Sequence, residues 1–179
     1  MNITQKQTKS NSEYNWYVWY TKPRAEKKLQ ERLIAKGVDV FLPLRKELRQ
    51  WSDRKKWVET PLFNGYIFTN ISQREREKVS FTEGIITYVR SEGRPAVIPQ
   101  LQIDQIRFFL NESEMIEITM VDKIMPGELV KVTKGPFAGR HGEMINYKGS
   151  YKLAVRLEQI GSVLLVHLPT DYIKSFKKS

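Results

Sequence analysis

Cysteine is absent from this 179-residue chain, and histidine occurs only twice, at His141 and His167. Without thiols there is no disulfide scaffold, thiolate metal site or cysteine nucleophile, and two isolated histidines do not make a histidine-rich metal centre. Long hydrophobic runs are missing too. No apolar stretch approaches the roughly 18–20 residues that span a bilayer. The polar residues 1–13 contain no signal-like apolar segment and read as a flexible tail of a cytoplasmic protein without a membrane partner. GxxxxGK[ST], HExxH and GxSxG are all absent. Asp39, Asp53 and Asp104 lie scattered among cations, as solvated ion pairs do, and the two histidines read as structural rather than as general bases. These absences argue against an enzyme and lead to no expectation of a cofactor or a metal.

What is present is positive charge. Thirty Lys and Arg against 20 Asp and Glu give a formal net charge of +10, and the pI is near 9.7. Such a surface favours polyanions, either nucleic acid or an acidic protein face. The hydrophobic content of 40% and aromatic content of 11% suffice for packed cores. Residues 1–111 carry 20 basic and 12 acidic side chains, residues 112–124 carry 1 and 4, and residues 125–179 carry 9 and 4. The acidic bridge at 112–124 reads as a linker between a domain at 14–111 and a second at 125–179.

The strongest β-forming run of the first block is Tyr66-Ile67-Phe68, set off by Asn64-Gly65. Alternation puts Tyr66 and Phe68 on one face, where either a helix of the same domain or a partner protein covers them. Residues 16–20 (WYVWY) read as a central strand with large side chains on both faces. Pro23 starts a helix over 24–36 whose apolar stripe is Ala25, Leu29 and Leu33 and which Gly37 ends. Arg24, Lys28, Arg32 and Lys36 form a basic ridge beside that stripe, either a solvated face or a phosphate-tracking surface.

Residues 40–51 read as one strand running into a hairpin that turns at 52–54 and returns over 55–59. Trp51 and Trp57 flank that turn and are expected to meet across it. The hairpin also carries Arg45, Lys46, Arg49, Arg54, Lys55 and Lys56; rings that stack on bases and cations that hold phosphates suit nucleic acid, while a charged, soluble surface ribbon is the other reading. Ser72 and Glu75 have capping-box spacing ahead of a short helix to 80. A strand over 85–89 and a helix with Ile103, Ile106 and Leu110 complete a mixed order, which predicts an α+β sandwich with an antiparallel sheet and helices on one side. The last block shows only β patterns, at 128–133, 151–157 and 163–168, with turn chemistry at 135–142, and predicts a small barrel.

Residues 126–142 (PGELVKVTKGPFAGRHG) resemble the KOW motif that opens the C-terminal domain of the NusG family of transcription elongation factors, with Gly127, Gly135, Pro136, Phe137, Gly139 and Gly142 as its marks. Residues 16–24 and 61–68 resemble the family's N-terminal NGN domain, so the likeness covers nearly the whole chain. It implies an NGN domain that docks on the clamp helices of RNA polymerase and a C-terminal SH3-like barrel that recruits a further factor. Tyr20, Phe63, Tyr66 and Phe68 match the apolar polymerase-binding face of the specialised relative RfaH. Lys22 and Arg32 match positions that contact non-template DNA there, although Arg32 replaces a histidine. Ile160 and Gly161 match the loop by which NusG itself engages a ribosomal protein or Rho, although Ile160 replaces a bulky aromatic. Asn64 in place of proline, together with the basic hairpin, resembles the UpxY or RfaH kind, which serves long surface-polysaccharide operons. The alternatives are a general NusG-type factor, or a KOW-containing protein that binds RNA or the ribosome.

Overall fold

The computed structural model describes residues 14–51, 54–112, 116–120, 126–134, 138–167 and 170–175. The expected tail at 1–13, Ser52 and Asp53 of the turn, parts of the acidic bridge, and Gly135, Pro136 and Phe137 lie outside the described residues. In chain order the first elements are β1 (Tyr14–Thr21), α1 (Glu26–Ala35), β2 (Asp39–Phe41), β3 (Leu44–Gln50), β4 (Lys55–Pro61), β5 (Tyr66–Ser72) and α2 (Arg76–Ser80). Then come β6 (Ile85–Tyr88), β7 (Arg90–Ser91), β8 (Arg94–Pro95), β9 (Val97–Ile98) and α3 (Gln100–Glu112). The remaining strands are β10 (Ile116–Met120), β11 (Glu128–Val132), β12 (His141–Tyr147), β13 (Ser150–Leu157), β14 (Ser162–His167) and β15 (Ile173–Ser175). The chain divides into two units, one made of residues up to 42 and 64–100, the other of 43–63 and 101 onward.

In the first unit β1 lies between β5 and β6, β2 flanks β5, and β9 also pairs with β1; every pairing is antiparallel. The interior position explains the aromatic content of β1, because both faces of the strand are covered. Trp16, Val18 and Phe68 are buried on one face, where Phe41 meets Trp16 edge-on at 6.3 Å and Phe68 at 6.0 Å. Trp19, Ile67 and Thr69 are buried on the other, where the Trp19 indole N–H donates to Thr69 Oγ1 at 2.8 Å and so is not left unpaired.

Leu29 and Leu33 are the buried stripe of α1, as the spacing predicts. The helix nevertheless starts two residues later than expected. Pro23 and Arg24 instead form a turn closed by the Ala25 N–H to Lys22 O bond of 3.1 Å. The predicted strand over 40–51 is two strands, β2 and β3, because Pro43 has a fixed φ and donates no amide hydrogen to a ladder. The predicted helix after Ser72 shortens to the five residues of α2. Only half of the expected capping box forms, ahead of the helix: the Glu75 carboxylate accepts from the Ser72 amide at 3.0 Å and its hydroxyl at 2.9 Å, so the hydroxyl caps no helix amide and Glu75 itself is the N-cap residue. The very short strands β7, β8 and β9 escape any periodicity.

The second unit contains the β3–β4 hairpin, α3 and a six-stranded antiparallel sheet ordered β10-β14-β13-β12-β11-β15. On α3 the buried stripe is Ile103, Ile106 and Phe109, with Leu110 only partly covered. β14 is buried from Ser162 to Val166, an inner strand between two neighbours. The bridge read as a linker supplies one of those neighbours: Ile116 to Met120 pair with Val166 to Ser162 as β10. The stretch around Gly142, read as turn, opens strand β12, so His141 is an exposed strand residue opposite Lys131. Gly142 belongs there for a packing reason. A Cβ at Gly142 would lie 2.5 Å from Leu153 Cδ1, and one at Gly127 would lie 2.0 Å from the Met144 carbonyl oxygen.

Candidate functional site

The four rings expected on one apolar face divide into two kinds. Tyr20 and Tyr66 are cross-strand partners, with ring centroids 5.2 Å apart; Tyr20 is 39% exposed and Tyr66 half-buried. Phe68 is fully buried against Phe41, and Phe63 is buried in the segment after β4. Phe63 and Phe68 are therefore core, a correction to the expected exposed patch, and the tyrosine pair is what remains at the surface. Burial, then the neighbouring Tyr20 phenol, raises the Tyr66 phenol above its ordinary value.

A feature that spacing does not reveal positions this pair. Glu26, buried in the first turn of α1, accepts the Gly65 amide at 2.9 Å, while the Gly65 carbonyl accepts the Thr21 amide at 2.9 Å. The peptide next to Tyr66 is thus gripped from the helix and from β1. The only hint in the sequence is an acidic residue where a helix N-terminus favours one.

The predicted cations likewise fall into groups. Lys22, Arg24 and Lys28 are exposed on and before α1. Arg24 has φ of 61°, the conformation that the third place of such a turn requires and that glycine adopts with least strain. Arg32 is already engaged: it pairs with Glu83 at 2.8 Å and donates to the Glu83 carbonyl at 3.0 Å. Lys36 donates to Thr82 Oγ1 at 2.8 Å. The C-terminal half of the ridge thus clamps α1 to the 82–83 loop, and only its N-terminal half is open.

Arg54, Lys55 and Lys56 are exposed at the end of the hairpin. Trp51 and Trp57 do not meet. Trp57 stands opposite Leu48 and Gln50 opposite Lys55, so Trp51, one residue further, projects from the other face.

In the KOW segment the Val132 amide donates to Arg140 O and the Gly139 amide to Val132 O, both at 2.8 Å, closing the loop, with Gly139 at φ of 84°. Ile160 is buried and Gly161 follows it in a left-handed turn, so Ile160 is not an exposed partner anchor. Arg156 forks onto Glu143 at 2.7 and 3.1 Å, and the same carboxylate accepts the Gly127 amide. Burial pushes the Glu143 carboxyl up, but these hydrogen bonds and the Arg156 charge outweigh it and hold the group below its ordinary value. Among the described residues no group of three or more acidic, His or Cys side chains is placed to hold a metal, and no helix is long and apolar enough to cross a membrane.

An NGN-type α+β sheet joined to a β-rich KOW unit defines a class of transcription factor. The family model described as "Transcription termination factor nusG" matches residues 14–107, and the chain belongs to the NusG family. It is 25% identical over 171 residues to the transcription termination/antitermination protein NusG of Staphylococcus carnosus, covering 89% of this chain and 94% of that one. To the protein of the same name from Staphylococcus aureus strain Mu50 it is 24% identical over the same extent. A solved structure described as domain interaction in Thermotoga maritima NusG matches 94% of this chain and all of its own, with a TM-score of 0.51 and 18% identity, a likeness of fold.

Proposed function

We propose that this transcription factor is an antitermination and elongation factor. Its N-terminal domain docks on the clamp helices of RNA polymerase, and its KOW domain recruits a further factor. The exposed Tyr20–Tyr66 pair carries the reading: two amphipathic rings sit at the end of an otherwise buried sheet face, on a peptide held by Glu26. Such rings anchor protein interfaces, and truncating one typically costs about 2 kcal/mol or more of binding. Lys22, Arg24 and Lys28, with the hairpin cations, meet the non-template strand, and Arg32 contributes mainly by holding α1. The basic hairpin and Asn64 favour a specialised factor that serves long operons such as those for surface polysaccharide. Near full-length likeness to proteins named NusG favours a general factor. For the KOW domain the partner is a ribosomal protein or Rho, engaged around Gly161 without an Ile160 anchor.

The test measures polymerase binding and terminator readthrough for Tyr20→Ala and Tyr66→Ala. Folded variants with roughly thirtyfold weaker binding and lost readthrough support the docking face. Full activity in both variants places the face elsewhere. Transcript profiles after deletion separate the two factor types: a defect confined to one long operon marks the specialist, a genome-wide defect the general factor.

A further inference from the structure

Strands β3 and β4 pair from Leu44↔Pro61 to Gln50↔Lys55, and the Trp51 N–H to Arg54 O bond of 2.8 Å carries the ladder one pair further. Cross-strand partners share a face and successive residues alternate, so the ribbon has two chemically different sides. On one side Leu48 and Trp57 face each other, 50% and 65% exposed, between the Lys46–Glu59 pair, whose charges cancel, and the Gln50–Lys55 pair, which adds one cation. On the other side Trp51, 54% exposed, stands with Arg54, Arg49 and Lys56. Among the described residues the acid on that second side is Glu47, bonded by Arg45 and by Arg49 at 3.4 Å, and the four cations Arg45, Arg49, Arg54 and Lys56 leave that side positive.

We propose that the Trp51 side alone binds single-stranded nucleic acid. Trp51 stacks on an unpaired base, and the Arg49–Lys56 pair, about 7 Å further along the ribbon, holds an adjoining phosphate. The inference rests on the reading of the hairpin as a nucleic-acid contact and assigns the ligand form and the face. A ring lying open among cations suits a ligand that offers a flat π-face beside phosphates, as an unpaired base on its strand does. In a duplex the faces are stacked and only base edges are offered in the grooves. Trp57 on the opposite side faces Leu48, with Lys55 as the one cation there that no facing acid offsets among the described residues, and it cannot stack on a strand held at Trp51.

The full chain is titrated against a fluorescent oligothymidylate of about 16 nucleotides, enough for one site, and against a duplex of equal length. Trp51→Ala is expected to weaken single-strand binding roughly tenfold, within the range of one lost base stack, and Trp51→Phe to restore most of it. Arg49→Gln flattens the slope of log affinity against log salt by about 0.7. Trp57→Ala changes binding less than twofold. Polymerase capture, measured on the same variants, stays at the wild-type level. An equal loss for Trp57→Ala, or no loss for Trp51→Ala, overturns the proposal. So does wild-type protein that captures polymerase but binds the single strand no better than the duplex, an outcome that leaves the polymerase reading standing.

Discussion

Phe68 and Tyr66 lie two positions apart on one strand face, yet one belongs to the interior and the other to the surface. Phe68→Ala empties a fully enclosed site against Phe41 and is expected to cost about 3–5 kcal/mol of stability, a large share of a small domain's total. Tyr66→Ala removes a half-exposed ring and should leave the melting temperature within a few degrees while lowering polymerase binding. Parallel thermal melts and binding titrations check both, and the reverse pattern would make Tyr66 the core residue. Arg24 gives a second expectation. Its left-handed backbone is strained for a side-chain-bearing residue, by about 1 kcal/mol or more, and its side chain is exposed. Arg24→Gly should therefore melt no lower than the parent and bind DNA more weakly with a shallower salt dependence. A fall in melting temperature would assign Arg24 a structural role instead.

Strong patterning made some elements readable: the Leu29 and Leu33 stripe of α1, the doubly covered β1, the alternation in the sequence of β11 and β13, and the unbroken β-rich run of β14. What the sequence hid were features set by partners distant in the chain. Two-residue strands such as β7 and β9 have no period to detect. Gly142 looks like turn chemistry until Leu153 lies against it, and Arg32 looks like a free cation until Glu83 is brought beside it. The Glu143–Arg156 fork between β12 and β13 belongs with these, and it has a consequence in pH. Because the Glu143 pKa is depressed in the folded protein, its contribution to stability is complete above the ordinary carboxylate value, near 4.3. That contribution is lost as pH falls through the lower folded value. Urea denaturation of wild type and Glu143→Gln should then differ most at neutral pH and converge as the acid range is entered. Curves that stay equally far apart at every pH would show that the carboxylate's charge does not matter.

Charge composition places a boundary at 112–124, and the pairing of Ile116–Met120 with β14 moves part of that boundary into the β-rich unit. The consequence is an edge. β14 is buried along Ser162 to Val166, and its outer row of amides and carbonyls is bonded to β10; without β10 those groups and the apolar side chains above them meet water or another chain. A fragment beginning at residue 112 should therefore fold as a cooperative, monomeric unit. One beginning at 126 carries the complete KOW motif but has β14 as an unpaired edge, and it should melt at a lower temperature or self-associate. Thermal melts and sedimentation of the two fragments decide between a strand that belongs to the fold and one that merely rests on it. Equal stability and equal monomer content would restore 112–124 to the role of a pure linker, and proteolysis of the full chain would then cut within 116–120 as readily as within 121–125.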